Sequence, residues 1–110
     1  MDKRTAIRLC KKKYRYFIDH DDFSLLRMTD ATLKTQIRDC SHACPLCEYV
    51  NTKAKAMESA YLQINHCGSV SCKKYCPLYT QFGKSCGQMD YSNYPVNFAN
   101  EYVFKLTGDR

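Results

Sequence analysis

Glycine and proline are scarce in this chain of 110 residues, at four and three copies. That scarcity excludes a collagen-like or low-complexity protein. No apolar run approaches the roughly 18 residues a membrane helix needs, which excludes a spanning segment. The N-terminus is basic but has no continuous apolar stretch and no small-residue cleavage site, so it does not read as a signal peptide. The expectation is a chain that starts at its own Met1 and stays in the cytoplasm. GxGxxG, phosphate-binding-loop and GxSxG patterns are absent, and there is no internal repeat. What remains is a chain the size of one domain, 1–110, with 45% hydrophobic residues for a small core.

The charge is concentrated at one end. The formal net charge is +6, and residues 1–15 hold Lys3, Arg4, Arg8, Lys11, Lys12, Lys13 and Arg15 against Asp2 alone. The rest of the chain is balanced. A basic patch attracts phosphate backbones, anionic lipid surfaces or acidic protein faces, or it is simply a solvated helix face. Arg4, Arg8, Lys11, Lys12, Lys13 and Arg15 are the candidate nucleic-acid contacts. Tyr16, among them, is placed to stack on a base.

Apolar periodicity predicts a mainly α chain of four to five helices. Ile7, Cys10, Tyr14, Phe17 and Ile18 recur at three and four, which makes residues 1–20 a basic amphipathic helix. Asp21 or Asp22 is a candidate cap for a helical stretch over about 22–28, and Thr29–Asp30 for another over 31–39. Pro45 opens a helix whose apolar positions run through Leu46, Tyr49, Val50, Ala54, Met57, Tyr61 and Ile64. Residues 65–76 read as a loop, Pro77 opens a short helix that Gly83 closes, and residues 84–94 are turn-rich. Pro95 starts a last helix over 95–107, with Gly108 as its stop.

Eight cysteines carry the chemical signal. Cys10 lies on the apolar stripe and reads as a small buried hydrophobe. The other seven fall in the cysteine-rich region 40–94. Cys44-Pro45-Leu46-Cys47 is a CxxC, and Cys72 and Cys76 form a Cx3C 24 residues further on. Zn²⁺ prefers four soft ligands in a tetrahedron, and two short hooks on separate segments supply them. Cys44, Cys47, Cys72 and Cys76 are the expected set, with Cys86 or Cys67 as substitutes. His42 and His66 are close enough to serve, although four cysteines already suffice. In both Cys-Pro-Leu runs a cysteine precedes a helix-opening proline, where the helix dipole and open N–H groups stabilise a thiolate. Disulfides are disfavoured in a reducing cytoplasm. An iron–sulfur cluster is the second choice of cofactor. Cys40, Cys44 and Cys47 match the Cx3Cx2C of radical S-adenosylmethionine enzymes, whose barrel is too large for this chain. Seven cysteines leave a two-metal site open.

The run Cys-Pro-Leu-Cys, a helix, a cysteine-bearing loop, Cys-Pro-Leu-Tyr and a Gly-Lys-x-Cys turn followed by tyrosines resembles small, largely uncharacterised bacteriophage-encoded proteins with paired cysteine knuckles. The matching positions are Cys44, Cys47, Cys72, Cys76, Pro77, Gly83, Lys84 and Cys86, with Tyr91 and Tyr94 beyond them. The resemblance spans residues 44–94 and implies a zinc-stabilised viral protein, hence the host cytoplasm. The second pair in those proteins is usually CxxC, so Cx3C makes Cys72 the least secure ligand.

No catalytic residues are assigned, and the expectation is a protein that is not an enzyme. Asn65-His66 is a faint match to phage nucleases of the His-Asn-His class, the weakest of three functional readings. Asp19, His20, Asp21 and Asp22 read as a helix end rather than a Mg²⁺ site. The leading expectation is zinc-stabilised nucleic-acid binding through the basic helix. The alternative is an accessory protein that docks on a host or phage protein, through exposed tyrosines such as Tyr91 and Tyr94. No membrane partner is expected.

Overall fold

A computed structural model describes residues 1–57 and 70–110. Those residues are mainly helical. The α-helices are α1 (Lys3–Asp19), α2 (Ala31–Arg38), α3 (Pro45–Met57), α4 (Val70–Tyr75), α5 (Pro77–Phe82) and α6 (Pro95–Glu101). Single tight turns at Leu25–Arg27, Ser41–Ala43, Cys86–Met89 and Val103–Lys105 join them. No described helix is long and apolar enough to cross a membrane.

The helix starts follow from short polar side chains and prolines. The Asp2 carboxylate accepts the Thr5 N–H at 2.8 Å and opens α1. Asp30 does the same for α2, accepting the Leu33 N–H at 3.0 Å. Each removes an orphan donor from a first turn. Gly83 ends α5 at φ 73, the left-handed region where a side chain is strained.

α1 is the central strut and packs chiefly against α3, with α2, α6 and the 103–105 turn around it. It buries Ala6, Ile7, Leu9, Cys10, Tyr14 and Phe17. Leu33 and Ile37 of α2, Leu46 and Val50 of α3, and Val103 complete the fully enclosed centre. Tyr14 meets Phe98 of α6 edge-on at 5.3 Å.

Three expectations about elements change. The stretch 22–28 is no α-helix; Asp22 instead accepts the Ser24 N–H and pairs with Arg27 at 2.7 Å, which pins a single turn. Residues 70–75, expected as loop, form α4, because burying Ser71 and Cys72 outweighs weak local propensity. With α4 the described helices number six, against four or five expected. The last helix stops at Glu101, and a tighter turn then turns Val103 and Leu106 into the core. On α3, Leu46, Val50 and Ala54 are buried as the period requires, whereas Met57 is exposed. Tyr61 and Ile64 lie outside the described residues.

Candidate metal centre

Two local devices place cysteines at helix N-termini. Cys44 is extended, and its carbonyl accepts the Glu48 N–H at 3.0 Å, so it caps α3 with Pro45 as the first helical residue. Cys76 caps α5 in the same way, its carbonyl accepting the Thr80 N–H at 2.9 Å ahead of Pro77. Proline suits this position, since its missing N–H would have no helical partner. Both prolines are fully buried, which anchors the two knuckles in the core.

The partner sulfurs arrive from opposite directions. Cys47 lies one turn into α3. Cys72 lies one turn back on α4, where its carbonyl accepts the Cys76 N–H at 2.9 Å. The second partner thus precedes its knuckle on a helix, which accounts for the Cx3C spacing. Within each pair the thiols are hydrogen-bonded to one another. The Cys47 thiol bonds to Cys44 and, with the Lys13 ammonium and the Cys47 and Leu46 N–H groups, holds the Cys44 thiol down to about 6 against the effect of burial. These groups favour the Cys44 thiolate over that of an ordinary cysteine. Cys76 goes the opposite way, raised by its bond to Cys72 and by burial. The two pairs are thus biased in opposite directions, the first towards a thiolate and the second towards thiols.

The two pairs face one cavity of about 130 Å³, lined by Cys10, Cys44, Cys47, Cys72, Cys76 and Cys86. Leu46, Val50, Leu78 and Phe98 supply apolar wall, and His42 and Lys13 also border it. None of the seven described cysteines is in a disulfide. Among the described residues, however, no three His, Cys, Asp or Glu side chains are gathered closely enough to hold one ion. The expected quartet is thus brought to one cavity as two pairs, not as a closed tetrahedron. Cys10 is a buried wall residue on α1, 2% exposed, as well as a cavity sulfur. Cys40 is not: its thiol donates to the Gln36 carbonyl at 3.1 Å, and burial pushes it up to about 11. Cys67 and His66 lie outside the described residues.

A tight approach loop positions the first pair. His42 and Ala43 take left-handed conformations, φ 56 and 51, which costs on the order of 1–2 kcal/mol per residue. Side chains from α1 and α3 hold them there. The Lys13 ammonium donates to the Ala43 carbonyl at 2.8 Å. Glu48 accepts the Ser41 N–H at 3.0 Å, and Asn51 donates to the Ser41 hydroxyl at 2.7 Å. Sequence reading missed Glu48 and Asn51. Their spacing of three on α3 was the available signal, but nothing local says what they reach.

The basic helix divides in two. At 100° per residue, Arg4, Arg8, Lys11, Lys12 and Arg15 fall within an arc of about 100°. Lys13 points elsewhere, to the cysteine cavity and across the Tyr14 ring at 5.3 Å. Within the arc, Lys11 is bound to the Leu106 carbonyl and to Asp109, both at 2.8 Å. Arg8 is exposed and gives one N–H to the Asp109 carbonyl. Arg15 is exposed above the Phe104 ring at 5.0 Å, and Arg4 and Lys12 are exposed. Tyr16 is committed within the chain: its ring stacks on His20 at 3.9 Å and its hydroxyl bonds to Thr29. Tyr91 and Tyr94 are 41% and 60% exposed.

Comparison with protein-family models, curated proteins and solved structures finds no match to the chain.

Proposed function

We propose that the chain is a small zinc-binding recognition protein whose metal is held by Cys44, Cys47, Cys72 and Cys76, and whose basic helix contacts nucleic acid. The observation that carries the metal is the convergence of two knuckles, built from separate Cys-Pro-Leu runs, on one cavity. Soft sulfurs at helix N-termini suit Zn²⁺, and binding draws the pairs together as protons leave. Cys86 or Cys67 substitutes if Cys72 fails to ligate. The nucleic-acid part rests on Arg4, Arg8, Lys12 and Arg15, exposed along one face.

Native and denaturing mass spectrometry of protein purified without chelator tests the metal. Retained zinc in the native spectrum, lost in the Cys44→Ser/Cys47→Ser variant, supports the reading. An apo native mass with all thiols reduced refutes it, as does bound iron with sulfide.

A second reading has its own observation. Tyr91, Tyr94 and Val96 are exposed around the start of α6, which favours an accessory protein, of phage origin on the resemblance above, docking on a host or phage protein. Nucleic-acid binding that survives Tyr94→Ala and fails in Arg4→Ala/Lys12→Ala separates the two. The nuclease reading depends on His66; cleavage unchanged by His66→Ala rejects it.

A further inference from the structure

The segment after the Val103–Lys105 turn folds back over the basic helix. Leu106 is buried, and Gln81 of α5 ties the chain on both sides of it. The Gln81 amide donates to the Lys105 carbonyl at 2.9 Å, and its oxygen accepts the Thr107 N–H at 2.9 Å. Gly108 then takes φ 100, a left-handed conformation that suits glycine. It lies so close to α1 that a Cβ there would meet Lys3 and Ile7. Beyond it the chain meets cations. The Lys11 ammonium binds an Asp109 carboxylate oxygen at 2.8 Å, and the Arg8 Nε–H binds the Asp109 carbonyl at 2.6 Å. Lysine and arginine hold a carboxylate and a phosphate by the same chemistry, N–H groups donated to anionic oxygens.

We propose that Asp109 occupies a phosphate site of the basic face, so that segment 107–110 is an internal strap which nucleic acid displaces. This rests on the nucleic-acid reading above and adds Lys11 as a further contact, open only when the strap lifts.

Three features suit displacement. A lysine ammonium has three donors, and the Leu106 carbonyl takes one of them at 2.8 Å. That bond keeps the ammonium at the helix surface while a phosphate oxygen replaces Asp109. The Lys11–Asp109 pair is also partly exposed, at 20% and 25%, where solvent screening makes an ion pair weak. Finally, the bonds to Gln81 end at Thr107, so lifting 108–110 breaks none of them. A duplex presents a row of phosphates to Arg4, Arg8, Lys12 and Arg15 together, whereas Asp109 presents one carboxylate.

Fluorescence anisotropy of a labelled duplex across a salt series tests the strap on the full chain. Asp109→Asn keeps the shape of the side chain and removes its charge. It should bind more tightly at 50 mM salt, with a logarithmic slope of about −4.5 in place of about −3.6. The drop in affinity from 50 to 200 mM then grows from roughly 150-fold to roughly 500-fold. Asp90→Asn removes the same charge from the 86–90 turn, at φ 53, which asparagine tolerates, and should leave the slope at about −3.6. In a Lys11→Ala background, Asp109→Asn should not steepen the slope. Helical circular dichroism should be unchanged in each variant. An unchanged slope in Asp109→Asn, equal steepening in Asp90→Asn, or steepening that persists without Lys11 overturns the strap and leaves the nucleic-acid reading standing. No binding at low salt by either the unmutated protein or Asp109→Asn overturns both.

Discussion

The salt dependence of nucleic-acid binding offers the sharpest test of the basic face. Neutralising one phosphate releases condensed counterions, so the affinity for B-DNA falls with a logarithmic slope of about −0.9 per contact. The helical arc holds five cations, but Lys11 is held by Leu106 and Asp109. Four remain: Arg4, Arg8, Lys12 and Arg15. The expected slope is about −3.6, so affinity drops roughly 150-fold between 50 and 200 mM salt. Removing two contacts with Arg4→Ala/Lys12→Ala should halve the slope and shrink the drop to roughly 12-fold. Lys13→Ala is the internal control. It removes one formal charge, against two in the arc variant, and removes it from the cysteine cavity, so the slope should stay near its original value. Fluorescence anisotropy of a labelled duplex across a salt series measures all three. If Lys13→Ala flattens the slope as much as the arc variant does, the division of the helix into a binding face and a cavity face is wrong. If the unmutated protein shows no binding at low salt, the nucleic-acid reading is rejected.

Other perturbations test the fold that positions the site. Ala43→Gly relieves a left-handed alanine and should stabilise the protein by about 1 kcal/mol, seen as a higher Tm; a lower Tm would show that the loop is not strained. Asp30→Ala removes the α2 cap and should cost about 1 kcal/mol by urea denaturation, whereas Asp30→Ser should restore most of it. The Lys11 ammonium bonded to Asp109 holds its carboxyl below the ordinary aspartate range. The pair's contribution, at most about 1 kcal/mol, is therefore full above that range and lost as pH falls through the lowered value. Asp109→Asn should remove that acid-side dependence, and an unchanged stability-against-pH curve would sink the assignment. Chelator treatment should lower the Tm of the zinc-loaded protein markedly, because metal binding and folding are coupled; identical melts with and without chelator would contradict the coupling.

The helical class and most helix starts could be read from residue order. The apolar spacing of Ile7, Cys10, Tyr14 and Phe17 specifies a buried face, and Asp2, Asp30, Pro45, Pro77 and Pro95 mark first turns by chemistry that acts within four residues. The two Cys-Pro-Leu knuckles were legible for the same reason, since a cap and its proline are neighbours in the chain. The stretch 22–28 and α4 were not. The first has apolar residues but is governed by the Asp22–Arg27 pair, and the second is a helix because its neighbours bury it.

The site follows the same division. Residue order identifies the sulfurs of each knuckle and the cationic arc, because both depend on spacing along one segment. It is silent on which sulfurs share a cavity. Cys10 sits on a helix 34 positions before the first knuckle's cysteine and reads as filler there; the packing of α1 on α3 makes it a cavity wall. Lys13 counts with the surface cations until its ammonium is seen on the Ala43 carbonyl, and Cys40 counts with the Cx3Cx2C run until its thiol is seen on Gln36. Each of these assignments depends on contact between segments distant in sequence, and only the assembled core brings such segments together.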